Sequence, residues 1–267
     1  VLGAPIAHAT SPRLHGYWLT SRGLQVHYVP MHVASEDLED VLRARPKRGF
    51  VGTNVTIPHK ERVLTFADSV SDRAAVMGAA NTLTFREDGT LHADNTDGYG
   101  FLENLRNAAP NWTPDHGPVA VIGAGGAARA VLAALIEAGC SEIRLTNRTK
   151  ARSEALRQDF GTKITVVDWV QAGNMFDGAA LVVNTSSLGM TGKPEMRIPL
   201  DDMSPDALVT DLVYTPLKTP LLSYAESIGC QTVDGLGMLL HQAVPGFERW
   251  FGVRPLVDEG VRQAVLS

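Results

Sequence analysis

Cysteine is scarce: Cys140 and Cys230 are the only two in 267 residues. Two thiols build neither a disulfide framework nor a four-thiolate zinc site, and they suit a reducing compartment. Cationic excess is missing as well. Lys and Arg number 24 against 29 Asp and Glu, a net charge of −5. Such a chain lacks the positive surface that a phosphate backbone demands, so nucleic acid is not an expected partner. No apolar run approaches the roughly 18 residues of a membrane span. No basic flank precedes an apolar run near the first residue, so neither a membrane nor a signal peptide is expected. The eight histidines form no H-E-x-x-H or other ligand cluster, and no metal is expected. His8, His15 and His241 read instead as structural residues. Internal repeats and low-complexity segments are absent too.

What is present is globular material, 44% hydrophobic and 20% charged, enough to bury a sizeable core in one large or two ordinary domains. Short apolar runs alternate with amphipathic stretches, the pattern of an α/β protein with parallel strands. The first third predicts strands at Val1–Leu2, Val26–Val33 and Gly49–Thr56. A later pair, Thr82–Arg86 and Leu91–Asn95, is split by the hairpin signal Glu87-Asp88-Gly89. Helices are expected over Pro12–Arg22 with Ser11 as N-cap, over Glu36–Ala44 with Ser35 as N-cap, and over Pro58–Ala67. From about residue 118 the texture changes. Val119–Ile122, Ile143–Thr146, Ile164–Val167, Leu181–Asn184 and Leu208–Leu212 recur as short strands between helical stretches, a doubly wound nucleotide-binding pattern. The polar, turn-rich segment 108–117 reads as a domain boundary region. The stretch Met238–Trp250 reads as a helix packing back on the first domain, with Met238, Leu239 and Leu240 in the core and Trp250 and Phe251 in domain packing.

Gly123-x-Gly125-x-x-Ala128 follows a strand and opens a helix. Glycines there let backbone approach a pyrophosphate, which then rests on the N–H groups at the positive end of the helix. The strand–turn–helix context is what gives this short motif its weight. The end of the next strand chooses between nicotinamide cofactors: an acid there would hold a free ribose 2′-OH, and Arg would accept a 2′-phosphate. Here the chain reads Asn147-Arg148-Thr149-Lys150-Ala151-Arg152, with no acid and three cations. Guanidinium groups pair bidentately with phosphate, which favours NADP over NAD. Asn184–Gly189 is a turn after a strand that either lines the nicotinamide or simply closes the loop.

Lys60 falls in Gly52-Thr-Asn-Val-Thr56-Ile-Pro58-His-Lys60, in the first turn of the helix expected from Pro58. The positive end of a helix prefers anions, so a lysine held there suits proton transfer. By position alone it also reads as an ordinary surface lysine. Asp97, in Asn95-Thr96-Asp97-Gly98, reads as an N-cap, and Asn81, in Gly78-Ala-Ala-Asn81-Thr82, as a turn residue. These segments end strands or start helices, and the carboxyl ends of open α/β sheets are where ligands bind.

Taken together the chain resembles the shikimate dehydrogenase family. The matching segments are Gly3-Ala-Pro5-Ile-Ala-His8-Ala-Thr-Ser11-Pro12-Arg-Leu-His15, Asn54-Val-Thr56-Ile-Pro58-His-Lys60, Gly78-Ala-Ala-Asn81-Thr82, Asn95-Thr96-Asp97-Gly98, the Gly123 loop, Asn147-Arg148-Thr149, Asn184-Thr-Ser-Ser-Leu-Gly189-Met190, Asp211-Leu-Val-Tyr214-Thr-Pro216 and Asp234-Gly235-Leu-Gly237-Met238 through Gln242-Ala243. They run in order over nearly the whole chain. The resemblance implies reversible NADPH-dependent reduction of 3-dehydroshikimate to shikimate, on the way to chorismate and the aromatic amino acids, in the cytoplasm. It implies an N-terminal α/β substrate domain and a doubly wound Rossmann-type NADP-binding domain with a cleft between them: residues 1–98, then 99–235, then C-terminal helices at 236–267 returning to the substrate domain. It implies Lys60 and Asp97 as the catalytic pair, and Ser11, Thr56, Asn81, Tyr214 and Gln242 as further substrate contacts. Cofactor contacts are implied at Gly123, Ala124, Gly125, Gly126 and Ala127, at Asn147, Arg148, Thr149, Lys150, Ala151 and Arg152, at Leu212 and Gly235, and at Asp72.

One departure stands out. The family usually carries two serines in His-Ser-x-Ser-Pro, both near the substrate carboxylate; here the first is Ala9 and only Ser11 remains. Charge-assisted hydrogen bonds contribute roughly 1.5–3 kcal/mol, so either Thr10 or water compensates or the acid substrate differs somewhat. Gly16 after His15, in place of the usual Asn, reads as neutral. The competing readings are a quinate/shikimate dehydrogenase using NAD, a non-catalytic NADP-binding sensor, and a dehydrogenase for an amino- or methyl-substituted relative of shikimate. A monomer and a homodimer both fit the sequence.

Overall fold

The computed structural model describes every residue except His8 and Arg45, and the side chain of Lys47 is likewise left aside. The chain divides into two compact units, Val1–Gly100 with Leu240–Ser267, and Phe101–Leu239. The turn-rich segment 108–117 therefore lies inside the second unit. The divisions fall within two helices, because polar turn composition marks surface loops in general and not domain boundaries alone.

In the first unit, β1 (Leu2–Gly3) is followed by α1 (Ser11–Ser21), β2 (Met31–His32), α2 (Leu38–Ala44), β3 (Gly52–Asn54), β4 (Ser69–Val70), α3 (Asp72–Met77), β5 (Thr82–Phe85), β6 (Leu91–Asp94) and the start of α4 (Asp97–Ala108). β1 and β2 pair in parallel, and the other strands form a four-stranded sheet in the order β3-β5-β6-β4. This sheet is mixed: β5 runs antiparallel to both β3 and β6, and β4 runs parallel to β6. Its register sets Asn54 opposite Thr82 and Thr82 opposite Asp94. A core of Leu2, Leu38, Val55, Val63, Leu83 and Ala93 lies behind these polar strand ends.

Three local expectations change here. The strand over Val26–Val33 shrinks to Met31–His32, because Pro30 has no N–H for a ladder and Val26 and Val29 are exposed. Ser11 and Ser35 are not N-caps. Ser11 is the first residue of α1, preceded by Thr10 as cap without a side-chain cap bond, and α2 starts only at Leu38. The helix over Pro58–Ala67 is a five-residue 3₁₀ helix at Arg62–Phe66. Lys60 sits in the turn before it. Its carbonyl accepts from the Ala80 N–H at 2.7 Å, and Leu64 N–H bonds to Glu61 instead. An α-helix would need that carbonyl for Leu64, so the helix-dipole argument for Lys60 falls away.

In the second unit, β7 (Val119–Ile122), α5 (Gly126–Ala138), β8 (Ile143–Thr146), α6 (Lys150–Phe160), β9 (Ile164–Val167), β10 (Leu181–Asn184), β11 (Leu208–Asp211), α7 (Pro220–Ser227) and β12 (Gln231–Val233) alternate. All six strands are parallel, in the order β12-β11-β10-β7-β8-β9. β7 and β10 are buried along their whole length, which is why they read as continuous apolar runs. The order reverses between them, a topological switch point where such sheets bind nucleotides. α8 (Leu236–Phe251) begins in the second unit and ends in the first, which also holds α9 (Glu259–Leu266). Among the described residues, no helix is long and apolar enough to cross a membrane.

Candidate active site

The sheet register of the first unit concentrates buried polar groups at one edge. Asn54, Asn81, Thr82, Asp94, Asn95 and Thr96 are all less than 9% exposed. Such groups persist only when hydrogen-bonded, and here each is. Asp97, the first residue of α4, does not cap its own helix. Its N–H donates to Asn95 Oδ1 at 3.0 Å, so the chain makes an Asx turn into the helix. That leaves the carboxylate for other partners: Oδ2 accepts from Lys60 Nζ at 2.8 Å and Oδ1 from Asn81 Nδ2 at 2.8 Å. Asn81 Nδ2 also donates to Gln242 Oε1 on α8 at 3.1 Å. Asn81 is thus a hub and not a simple turn residue. The ammonium and carboxylate are 31% and 19% exposed, so a ligand can reach both.

The turn that carries Lys60 is pinned on both sides. His59 is fully buried, and its Nε2 lies 2.8 Å from Val33 O. A carbonyl only accepts, so Nε2 carries the proton. Of the other expected substrate contacts, Thr56 lies in the same strand-to-turn segment, its N–H bonded to Leu2 O at 2.9 Å. Ser11 opens α1, and Tyr214 lies in the second unit, 36% exposed after β11. The structure brings together Lys60, Asn81, Asp97 and Gln242 directly; Ser11 is hydrogen-bonded to the Tyr28 hydroxyl, and the Thr56 side chain makes no hydrogen bond to that group among the described residues.

Asp94 was absent from the sequence-derived candidates. It is fully buried at the end of β6 and accepts from Ser71 Oγ at 2.5 Å, Arg73 at 3.1 Å, Arg249 at 2.6 Å and the Asn95 N–H at 2.8 Å. Burial works to raise its pKa. The bonds from Ser71 and Arg249, with the charges of Arg249 and Arg73, more than offset this and hold the carboxyl below the usual range. The signal available in sequence was the density of polar residues in Asp94-Asn95-Thr96-Asp97 straight after an apolar strand.

In the second unit the glycine loop occupies the switch point. Gly123 has φ +105°, and a Cβ there would lie 2.8 Å from Thr185 Oγ1 in the loop after β10. Both facts demand glycine. Gly125 and Gly126 open α5, and a Cβ on either meets no atom within 4 Å. The space in front of this helix end is therefore open and lined by backbone donors, as a pyrophosphate requires. Ala124 N–H bonds to Asn147 Oδ1 at 3.2 Å, so the loop after β8 is tied to the glycine loop. Of the three cations after Asn147, Lys150 is engaged with Asp168 at 2.8 Å, whereas Arg148 and Arg152 are exposed with no ion pair among the described residues. Thr149 caps α6 and Ala151 lies in its first turn. Asp72 opens α3 in the first unit.

Leu212 and Gly235 are neighbours: a Cβ on Gly235 would come 2.4 Å from Leu212 O, so only glycine fits. The Leu212 strand end is held by Asp211, which is fully buried without a cation among the described residues. It accepts from Asn184 Nδ2 at 2.9 Å, Val213 N–H at 3.0 Å and Thr219 Oγ1 at 2.8 Å, and burial raises its pKa. Asn184 Oδ1 in turn orders Ser186 in the loop after β10. Among the described residues no group of three or more His, Cys, Asp or Glu could hold a metal ion.

A six-stranded sheet of this order, with a glycine loop at its switch point and, after β8, two exposed arginines without an ion pair among the described residues, defines a dinucleotide-binding oxidoreductase scaffold joined to a second α/β unit that presents a lysine–carboxylate pair. The comparisons with known proteins narrow the class. Family models described as "Shikimate dehydrogenase substrate binding domain", "Shikimate / quinate 5-dehydrogenase" and "Shikimate 5'-dehydrogenase C-terminal domain" match residues 1–83, 111–192 and 235–266. A shikimate dehydrogenase (NADP(+)) of Cereibacter sphaeroides is 67% identical over 267 residues, covering 100% of this chain and 96% of the relative. The shikimate 5-dehydrogenase of Thermus thermophilus, solved with NADP(H) and shikimate, superposes with a TM-score of 0.86 at 36% identity, covering 99% of this chain and 97% of the other. Quinate dehydrogenase from Corynebacterium glutamicum, solved with NAD, gives 0.91 at 30% identity over 99% and 96%. The chain belongs to the shikimate dehydrogenase family.

Proposed function

We infer that the protein catalyses the reversible, NADPH-dependent reduction of 3-dehydroshikimate to shikimate, a step towards chorismate and the aromatic amino acids. The observation that carries the chemistry is the Lys60–Asp97 contact at 2.8 Å, solvent-accessible and held by Asn81. A sensor has no use for such a proton relay. NADPH, when bound, supplies the hydride. The Gly123–Ala127 backbone and α5 N-terminus would hold its pyrophosphate, and Arg148 and Arg152 would hold the 2′-phosphate. As negative charge develops on the substrate's carbonyl oxygen, the Lys60 ammonium donates its proton to that oxygen. In the reverse direction neutral Lys60 takes the proton from the hydroxyl. Asp97 holds lysine and hydroxyl in line. Asn81 and Gln242 bind ring hydroxyls, and Ser11 contributes a hydroxyl to the carboxylate. Cys140 and Cys230 are buried free thiols, which suits the cytoplasm as the compartment.

The test is a steady-state matrix of shikimate and quinate against NADP⁺ and NAD⁺. Shikimate with NADP⁺ is expected to give the highest kcat/KM. Absence of NADP⁺-dependent shikimate oxidation overturns the reading. A higher kcat/KM for quinate with NAD⁺ transfers the protein to the quinate-type activity.

A further inference from the structure

Asn81 can turn its side-chain amide two ways, and only one leaves N–H groups for Asp97. The orientation is forced by a backbone donor: Thr96 N–H lies 3.0 Å from Asn81 Oδ1. An N–H cannot accept, so oxygen must face Thr96 and nitrogen must face Asp97. A second anchor fixes Asn54. Its Nδ2 lies 3.1 Å from the Asn81 carbonyl, which only accepts. Asn54 Oδ1 therefore faces the Tyr28 hydroxyl at 2.5 Å, and Tyr28 must donate. Tyr28 keeps its proton because burial pushes its pKa up.

Between the two anchors stands Thr82, fully buried at the start of β5. Its Oγ1 accepts from Asn54 Nδ2 at 3.2 Å and donates to Asn81 Oδ1 at 2.9 Å. All donors therefore run one way: Tyr28 to Asn54, Asn54 to Thr82, Thr82 to Asn81, Asn81 to Asp97. In a chain of this kind each bond polarises the next. We propose that Thr82, backed by Asn54 and Tyr28, is a positioning residue for the reaction: the Thr96 N–H sets which way the Asn81 amide turns, and the Thr82 hydroxyl, beside that of Thr96, tightens it there, so that one Asn81 hydrogen holds the Asp97 carboxylate beside Lys60 and the other reaches Gln242 Oε1. The inference rests on the reading of the Lys60–Asp97 pair as the proton-transfer site.

The experiment separates the Thr82 hydroxyl from its methyl, which packs towards Gly246 on α8. Thr82→Val keeps the volume and loses the hydroxyl; Thr82→Ser does the reverse. For shikimate oxidation, Thr82→Val is expected to lower kcat roughly 10- to 100-fold, the size of a lost buried hydrogen bond, with KM for NADP⁺ unchanged. Thr82→Ser is expected to return kcat to within about threefold of wild type. A Thr82→Val kcat equal to wild type, or a Thr82→Ser loss as large as that of Thr82→Val, overturns the proposal. If Thr82→Val shows no cooperative melt, Tyr28→Phe takes its place: a drop in kcat at constant KM for NADP⁺ supports the chain, and an unchanged kcat refutes it. The functional reading fails differently, as a wild type inactive on shikimate. The positioning role is then read by NMR from the Asn81 side-chain amide. Its N–H signals are expected to be sharp in wild type and Thr82→Ser and to broaden in Thr82→Val, and unchanged signals in Thr82→Val overturn it.

Discussion

Lys60 and Asp97 meet at 2.8 Å although 37 positions separate them in the chain. Neither belongs to the helix expected to present Lys60. The contact is made by a turn pinned through Ala80 and His59 and by an Asx turn that frees the Asp97 carboxylate. Lys60→Ala is expected to lower kcat by about 10²- to 10⁴-fold, the range for loss of a positioned acid–base group. KM for NADP⁺ should stay near wild type. Steady-state rates of shikimate oxidation check this, and an unchanged kcat removes Lys60 from the chemistry.

Arg148 stands exposed and, among the described residues, without an ion pair, next to the Asn147 side chain that is tied to the glycine loop. Arg148→Ala is expected to raise KM for NADPH roughly 10-fold or more, as for loss of a charge-assisted hydrogen bond. KM for NADH should change by less than about twofold, because NADH has no 2′-phosphate. Equal losses for the two cofactors would show that Arg148 does not read that group.

Asp211 is a buried carboxyl whose pKa burial raises. As pH climbs from the ordinary carboxylate range to that raised value, the unfolded chain releases its proton before the folded one does. The linkage sign is then negative, and Asp211 costs stability progressively through this window. Asp211→Asn cannot ionise. The difference in Tm, variant minus wild type, is expected to become more positive with rising pH across the window and level off above it. Melting curves from pH 4 to 7 measure it; a difference flat or falling with pH contradicts the assignment.

Asp94 shows the opposite sign, held below the usual carboxylate range by Ser71, Arg249 and Arg73 despite its burial. Its contribution is present above the ordinary carboxylate pKa and lost as pH falls through the lowered value. Arg249→Ala should destabilise the fold by about 1–2 kcal/mol at neutral pH, a figure discounted because Arg249 is partly exposed. Denaturant titration at pH 7 and at pH 3 checks both halves: the loss should shrink at the acid end. Arg73→Ala, with the longer 3.1 Å contact, should cost less.

Much of the second unit was legible locally. β7 and β10 fall on the apolar runs that predict them, because a strand buried on both faces must be apolar throughout; β8 and the edge strand β9 are only partly buried and also fall where expected, marked by their apolar and β-branched residues. The glycine loop could be read because its backbone demands are local, a positive φ and a helix start. The first unit was less legible. Val26–Val33 has strand composition, but Pro30 and two exposed valines leave only Met31–His32 in the ladder. Pro58 suggested a helix start, yet the Lys60 carbonyl was claimed by Ala80 from another segment. No window around residue 60 contains that information.

By itself, the order of residues determined the strand–helix alternation, the phosphate-binding turn, the cationic segment after β8 and the set of side chains with chemistry to offer. These depend on short-range sterics and on solvation, which act within a few residues. The tertiary structure alone decided that Asn54, Thr82 and Asp94 stand in one row across β3, β5 and β6, and that Asn81 turns its nitrogen towards Asp97 because the Thr96 N–H takes its oxygen. Strand register joins segments tens of residues apart, and a hydrogen bond's direction depends on which donor arrives opposite. Both are settled only once the sheet has closed around them.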